Sequence, residues 1–180
     1  MRVLIAGAGG AIGRPLVRHL RANQHEVFAL TRSLDSAPLK ENGAEPVIAD
    51  ALDAAAVKAA VGRIRPAAVI NELSSLPRRY TPAEMKAAAE RDHKVRVKGN
   101  INLLAALRDA GVGRYLLPSS AYWYTSGAGL ADESVPFISS ASPGVEARAR
   151  TYQELEARAS ATPGIEFVAL RYGFFYGPGT

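Results

Sequence analysis

The stretch Val3-Leu4-Ile5-Ala6-Gly7-Ala8-Gly9-Gly10-Ala11-Ile12-Gly13 decides the fold. Four aliphatic residues with no polar interruption read as a short strand buried on both faces. Ile12, Leu16, Val17 and Leu20 then recur at helical spacing over residues 11–23, with Pro15 in the first turn, where a missing N–H is tolerated. The glycines lie between strand and helix. Gly7 suits the tight turn, Gly10 lets the backbone approach an anionic group, and Gly13 lets helix and sheet pack closely. A helix start offers free N–H groups and a partial positive charge, so this loop reads as a phosphate cradle. The bare alternative is a tight turn with no ligand.

Strands alternate with helices through the rest of the chain. Strands are expected at Val27–Leu30, Val47–Ala49, Ala67–Ile70, Tyr115–Leu117 and Ile165–Leu170. Helices are expected over 35–42, closing at Gly43; from Asp53 to about 61, stopped by Gly62 and Pro66; from Pro82 to about 110; and from about 144 to 160. Residues 125–142, rich in Ser, Gly and Pro, read as loop. The pattern predicts an α/β fold: a doubly wound parallel sheet of the Rossmann type, with ligands at the carboxyl ends of the strands.

Length and composition narrow the function. One hundred and eighty residues suit one domain, and 48% apolar with 22% charged residues suits a globular chain. The chain has no cysteine, which excludes disulfide frameworks, thiolate catalysis and cysteine-ligated metals. His19, His25 and His93 lack metal-ligand spacing, so no metal is expected. The 22 Lys and Arg against 17 Asp and Glu leave +5, which suits an anionic partner or simple solubility. The cations are scattered, so a phosphorylated small molecule fits better than nucleic acid. The start carries no secretory pattern and no apolar stretch is long enough to span a bilayer; a cytoplasmic location without membrane contact is the expectation.

Around the sheet's carboxyl end, Thr31-Arg32 follows the second strand, where an acidic residue would bind a ribose 2′-hydroxyl. Arginine there pairs with a 2′-phosphate, so NADP is preferred over NAD. Asp50 and Ala51 follow the third strand. Asp53 suits a helix N-cap, and Asp50 suits either an adenine amine or a loop cap.

Four stretches carry a family resemblance: Gly7–Gly13 as G-x-x-G-x-x-G, Val95–Leu107 with Gly99-Asn100-Ile101-Asn102-Leu103-Leu104, Leu117–Tyr124 as LPSSAYWY, and Leu170–Gly179 as LRYGFFYGPG. In this order they resemble the extended short-chain dehydrogenase/reductases of the NAD-dependent epimerase/dehydratase family. The resemblance implies cofactor contacts from Gly7, Gly10, Ala11, Ile12, Gly13, Arg32, Asp50, Ala51, Leu73, Ser74 and Tyr172, with Tyr176–Gly179 bordering the nicotinamide. It also implies an Asn, Ser, Tyr and Lys at the reacting centre. Ser120 matches the serine. Arg96 stands where the asparagine is expected, and Glu146 and Arg150 stand where spacing places the tyrosine and lysine; Tyr152 lies too close to Arg171 and is followed at i+4 by Glu156. Ser120, Tyr122, Tyr124, Glu146 and Arg150 are therefore the catalytic candidates, with Trp123 as a pocket wall. Two readings stay open: an oxidoreductase or epimerase on a small molecule with a non-standard acid/base, and a non-catalytic NADP(H)-binding sensor. The resemblance further implies a homodimer. It makes residues 1–180 the cofactor-binding part of a longer architecture, whose C-terminal substrate lobe is largely absent and whose sixth strand is an exposed edge.

Overall fold

A computed structural model describes residues 1–33, 35–77 and 79–175. Its sheet has six parallel strands: β1 (Arg2–Ala6), β2 (Glu26–Thr31), β3 (Glu45–Ile48), β4 (Ala68–Asn71), β5 (Arg114–Ser120) and β6 (Glu166–Tyr172), in the order β3-β2-β1-β4-β5-β6. The chain steps outward from β1 to β3, then returns to the other side of β1. The break in direction falls between β1 and β4, the point where doubly wound sheets open a crevice for a ligand. The registers Ala6↔Leu30 and Ala6↔Asn71 bring the ends of these strands level, so the loops after them share that crevice.

Two apolar layers hold the sheet. On one face, Val3, Ile5, Val27 and Ala29 pack with Val17 of α1 (Gly13–Ala22) and Leu39 of α2 (Ala37–Glu41). On the other face, Leu4, Leu30, Val69 and Leu117 pack against α3 (Ala54–Ile64), α4 (Pro82–Ala110) and α5 (Pro143–Ser160). Burial alternates along β1 between these layers although every residue from Val3 to Ala6 is buried, as a covered parallel strand requires.

Helix ends follow local chemistry. Asp53 caps α3, its carboxylate accepting from the N–H groups of Ala55 and Ala56. Thr81 caps α4: its hydroxyl accepts from the Glu84 N–H and donates to the Glu84 carboxylate, just before Pro82 begins the helix. The expected stop of α3 at Gly62 is not observed. The helix runs on to Ile64 because Val61 and Ile64 are both buried in the core, and it ends at Arg65 in the left-handed conformation, directly before Pro66. β5 extends to Ser120, beyond the expected Leu117. Tyr122 and Trp123 lie in a short 3-10 turn (Ala121–Trp123) that follows it.

Among the described residues, β3 and β6 are the outermost strands. β3 carries Pro46, which has no N–H to offer a neighbour. β6 leaves Val168, the register partner of Leu116, 42% exposed. No helix among the described residues is long and apolar enough to cross a membrane.

Candidate dinucleotide site

The turn after β1 is built so that only glycine fits twice. Gly7 has φ +92°, and a Cβ there would lie 2.5 Å from the carbonyl carbon of Glu72, on the loop after β4. A Cβ on Gly13 would lie 2.5 Å from the Gly7 carbonyl oxygen and 2.6 Å from Ala8 backbone atoms. The Gly10 N–H donates to the Gly7 carbonyl at 3.0 Å, closing the turn, and the Arg14 N–H donates to the Gly10 carbonyl at 3.1 Å, opening α1. Between them, the N–H groups of Ala11, Ile12 and Gly13 have no hydrogen-bond partner among the described residues. The first turn of α1 holds no acidic side chain, and the Arg14 guanidinium braces the loop through the Gly9 carbonyl at 2.9 Å. Unpaired N–H groups, a helix N-terminus and a nearby cation make a fitting cradle for a pyrophosphate.

On the β2–β3 side, Thr31 ends β2, and its hydroxyl accepts from the Ser33 N–H at 3.1 Å. That turn presents Arg32 to solvent, with no hydrogen bond or ion pair among the described residues. Asp50 accepts from the Leu52 N–H at 2.9 Å, so one carboxylate oxygen serves as a loop cap. Ala51 is buried, and its carbonyl accepts from the Asn102 side chain of α4 at 2.8 Å. Leu73 packs into the notch at Gly99, where a Cβ would meet its Cδ1 at 2.6 Å. Ser74 is exposed.

The β5–β6 side holds the catalytic candidates. Ser120 is buried at the end of β5, its hydroxyl accepting from the Tyr122 N–H at 3.4 Å. Tyr122 is 46% exposed, edge-on to Phe174 at 4.6 Å between centroids. Trp123 keeps its indole Nε1 buried and without a partner among the described residues. Tyr124 bridges to Phe137, and both rings lie against the Arg171 guanidinium, at 5.1 and 4.6 Å. Arg171 in turn forms a two-pronged ion pair with Glu156, at 3.0 and 2.8 Å, and Ser119 donates to the same carboxylate. The Glu156 and Tyr124 environments hold Arg171 protonated well above the ordinary arginine range.

Glu146 and Arg150 are otherwise engaged. The Glu146 carboxylate accepts from the Ala141 N–H at 2.9 Å, capping the turn into α5, and Arg150, with a side chain 74% exposed, lies 3.9 Å from it. Tyr152 packs against the core with Arg96 over its ring at 5.4 Å, and burial raises its phenol. Arg96 is itself buried, paired with Asp92 at 2.8 Å, while Asp92 also receives the Ser75 N–H. His93 meets the Thr151 hydroxyl at 3.0 Å, a contact between α4 and α5. The sequence motif at Tyr176–Gly179 lies outside the described residues.

One residue in this crevice was not singled out from the sequence. Glu72 follows β4 directly, accepts from the Tyr172 hydroxyl at 3.2 Å, and has its carboxyl raised to about 7, burial outweighing Tyr172 and Arg96, which both pull it down. Its signal was an acidic residue placed directly after an apolar strand, at the end of the sheet where ligands bind.

A glycine cradle at the switch point of a doubly wound sheet has counterparts among known proteins. Residues 3–180 match the model of the NAD dependent epimerase/dehydratase family.

The chain belongs to that family. A Streptomyces 3-diazoavenalumate denitrifying reductase is 41% identical over the whole chain, which spans 58% of that protein. A Stenotrophomonas maltophilia 2-alkyl-3-oxoalkanoate reductase is 28% identical over 99% of the chain and 52% of that protein. Among solved structures, the UDP-glucose 4-epimerase of Thermus thermophilus in complex with NAD matches 99% of this chain and 57% of its own, at TM-score 0.76 and 29% identity. The chain thus spans little more than half the length of these relatives. Membership supports a nicotinamide dinucleotide as the ligand of the cradle after β1.

Proposed function

We propose that this chain is the cofactor-binding part of a reductase that replaces the diazo group of an organic acid with hydrogen, using NADPH. The observation that carries this reading is a dinucleotide cradle accompanied by a Glu146 tied to the Ala141 N–H and an exposed Arg150 beside it, at the two positions where spacing leads us to expect the family's tyrosine and lysine. Reducing a carbonyl creates an alkoxide, which needs an acid within hydrogen-bond reach. Reducing a diazonium carbon creates no anion. The carbon–nitrogen bond breaks with its electron pair leaving on dinitrogen, the hydride pair forms the new carbon–hydrogen bond, and no proton enters. The reduced dinucleotide, when bound, supplies that hydride. The chain's own residues supply placement: free N–H groups at the start of α1 for the pyrophosphate, and Ser120, Tyr122 and Tyr124 as the wall beside the reacting carbon. The reductase at 41% identity, whose name joins a diazo acid to a denitrifying reduction, supports the same substrate class.

The test tracks the hydride. The full-length protein is given 4-carboxybenzenediazonium and NADPH carrying deuterium at C4. The expected product is benzoate with deuterium on the carbon that lost dinitrogen. Tight NADPH binding with no labelled benzoate would instead favour a non-catalytic sensor, and no dinucleotide binding would remove both readings.

The preference for NADP rests on Arg32, an exposed cation at the end of β2. Arg32→Ala is expected to weaken NADP+ binding by roughly ten- to a hundredfold while leaving NAD+ unchanged, since a charge-assisted bond to phosphate contributes about 1.5–3 kcal/mol. Calorimetric titration of both dinucleotides checks this, and equal losses for the two would overturn the assignment.

A further inference from the structure

Glu72 and Tyr172 form a titratable pair that the phosphate cradle does not use. The Glu72 carbonyl lies against Gly7, and its side chain accepts from the Tyr172 hydroxyl on β6, 3.2 Å distant. Tyr172 is the register partner of Ser120, so the pair bridges over the end of β5, in the half of the crevice opposite β2 and β3. In a doubly wound fold the first half, with the glycine loop, takes one nucleotide and the second half takes the other. Glu72 therefore stands on the side of the reacting ring.

The groups around it are few. From β6, the Tyr172 phenol is held well above its ordinary range by burial and by Glu72, so it stays protonated and donates. From α4, Arg96 attracts the carboxylate, but its Nε is committed to Asp92 and its guanidinium is stacked on Tyr152. From β5, Ser120 is neutral, and the loop after β1 contributes backbone. Among the described residues, the second carboxylate oxygen of Glu72 has no hydrogen-bond partner. A half-buried carboxylate, partly stripped of water, held by one phenol and lacking a directly bonded cation is less well stabilised than a solvated one, and a ligand cation reaching its open oxygen makes up the difference.

We propose that the Glu72 carboxylate is the counter-charge for a cation in this half of the crevice: the diazonium carbon of the substrate and the positive ring of the oxidised dinucleotide. The diazonium arm rests on the function proposed above; the dinucleotide arm does not. With its carboxyl raised to about 7, Glu72 is neutral in acid and ionised in alkali, so cation binding strengthens as pH rises through neutrality. A proton donor at the same position would give the opposite limb.

The binding test compares NADP+ with NADPH at pH 6 and pH 8 by fluorescence titration. Taking the ratio of the two affinities cancels the titration of the 2′-phosphate. For a carboxyl of pKa about 7, the ratio should move toward NADP+ by about tenfold over this range. Glu72→Gln, with an unchanged melting temperature, should make the ratio independent of pH. Tyr172→Phe removes a bond that lowers the Glu72 carboxyl, so its midpoint should move to higher pH. A ratio that is flat in the unmodified protein, or that moves toward NADPH, overturns the counter-charge whatever the diazonium assay gives. A pH-dependent ratio abolished by Glu72→Gln supports it, even where no labelled benzoate forms and the denitrifying reading alone fails.

Discussion

Gly7→Ala is expected to abolish dinucleotide binding and to destabilise the fold by about 3–5 kcal/mol, the sum of a left-handed backbone at a residue with a Cβ and a forced overlap in a packed region. Each part has its own cause. At φ +92° an L side chain is strained whatever the space around it. The added methyl would also drive into the carbonyl of Glu72, which cannot yield, because the Glu72 N–H is bonded to the Ala6 carbonyl at 2.7 Å. The loop must therefore move, and with it the Gly10–Gly7 bond that aims the free N–H groups. Gly9→Ala is the control: a Cβ there meets nothing within 4 Å, so stability should change by less than about 1 kcal/mol. Urea unfolding of both variants, with titration of NADPH, separates strain at one glycine from a general intolerance of the loop. Equal effects at the two positions would contradict the geometry.

Glu156→Ala should cost about 3 kcal/mol, because removing one partner of a largely buried ion pair leaves the other uncompensated. Arg171 and Glu156 have side chains only 17% and 15% exposed. Glu156 is also the acceptor for Ser119, and Arg171 donates onward to the Glu133 and Val135 carbonyls while lying over Tyr124 and Phe137. Losing the carboxylate would unhook residues 125–142 from α5 and β6, moving Tyr124 in the crevice wall. Hydrogen exchange should quicken at Thr125 and Ile138, whose N–H groups donate to Pro136 and Trp123 across that loop. The double change Glu156→Leu with Arg171→Met should recover much of the lost stability, since two apolar groups leave no charge unpaired. Destabilisation undiminished in the double variant would show that the loop, rather than the charge, carries the cost.

Much of the architecture was legible because its causes are local. An unbroken aliphatic run marks a covered strand, a glycine after it marks the turn, and helical spacing marks the helix beyond; all three lie within residues 3–22. Helix ends were readable where a cap or a proline terminates them, as at Asp53 and Pro82. Gly62 misled because a glycine inside a helix costs only about 1 kcal/mol, less than burying Val61 and Ile64 gains. The reacting end was harder to read. Glu72 and Tyr172 are 100 positions apart, and Ser119 reaches Glu156 across 37. Their meeting depends on β5 and β6 lying beside β4.

From the sequence alone came the alternation of strand and helix and the place of the phosphate cradle, since each depends on residues within a turn or two of one another. Only the tertiary structure decided which carboxyl stands in the crevice. It turned Glu146 to cap α5, gave Glu156 to Arg171, and left Glu72 facing the end of β5. A carboxylate's burial, its partners and its proton are properties of neighbours that the order of strands in the sheet brings together, and that order is set by packing over the whole chain.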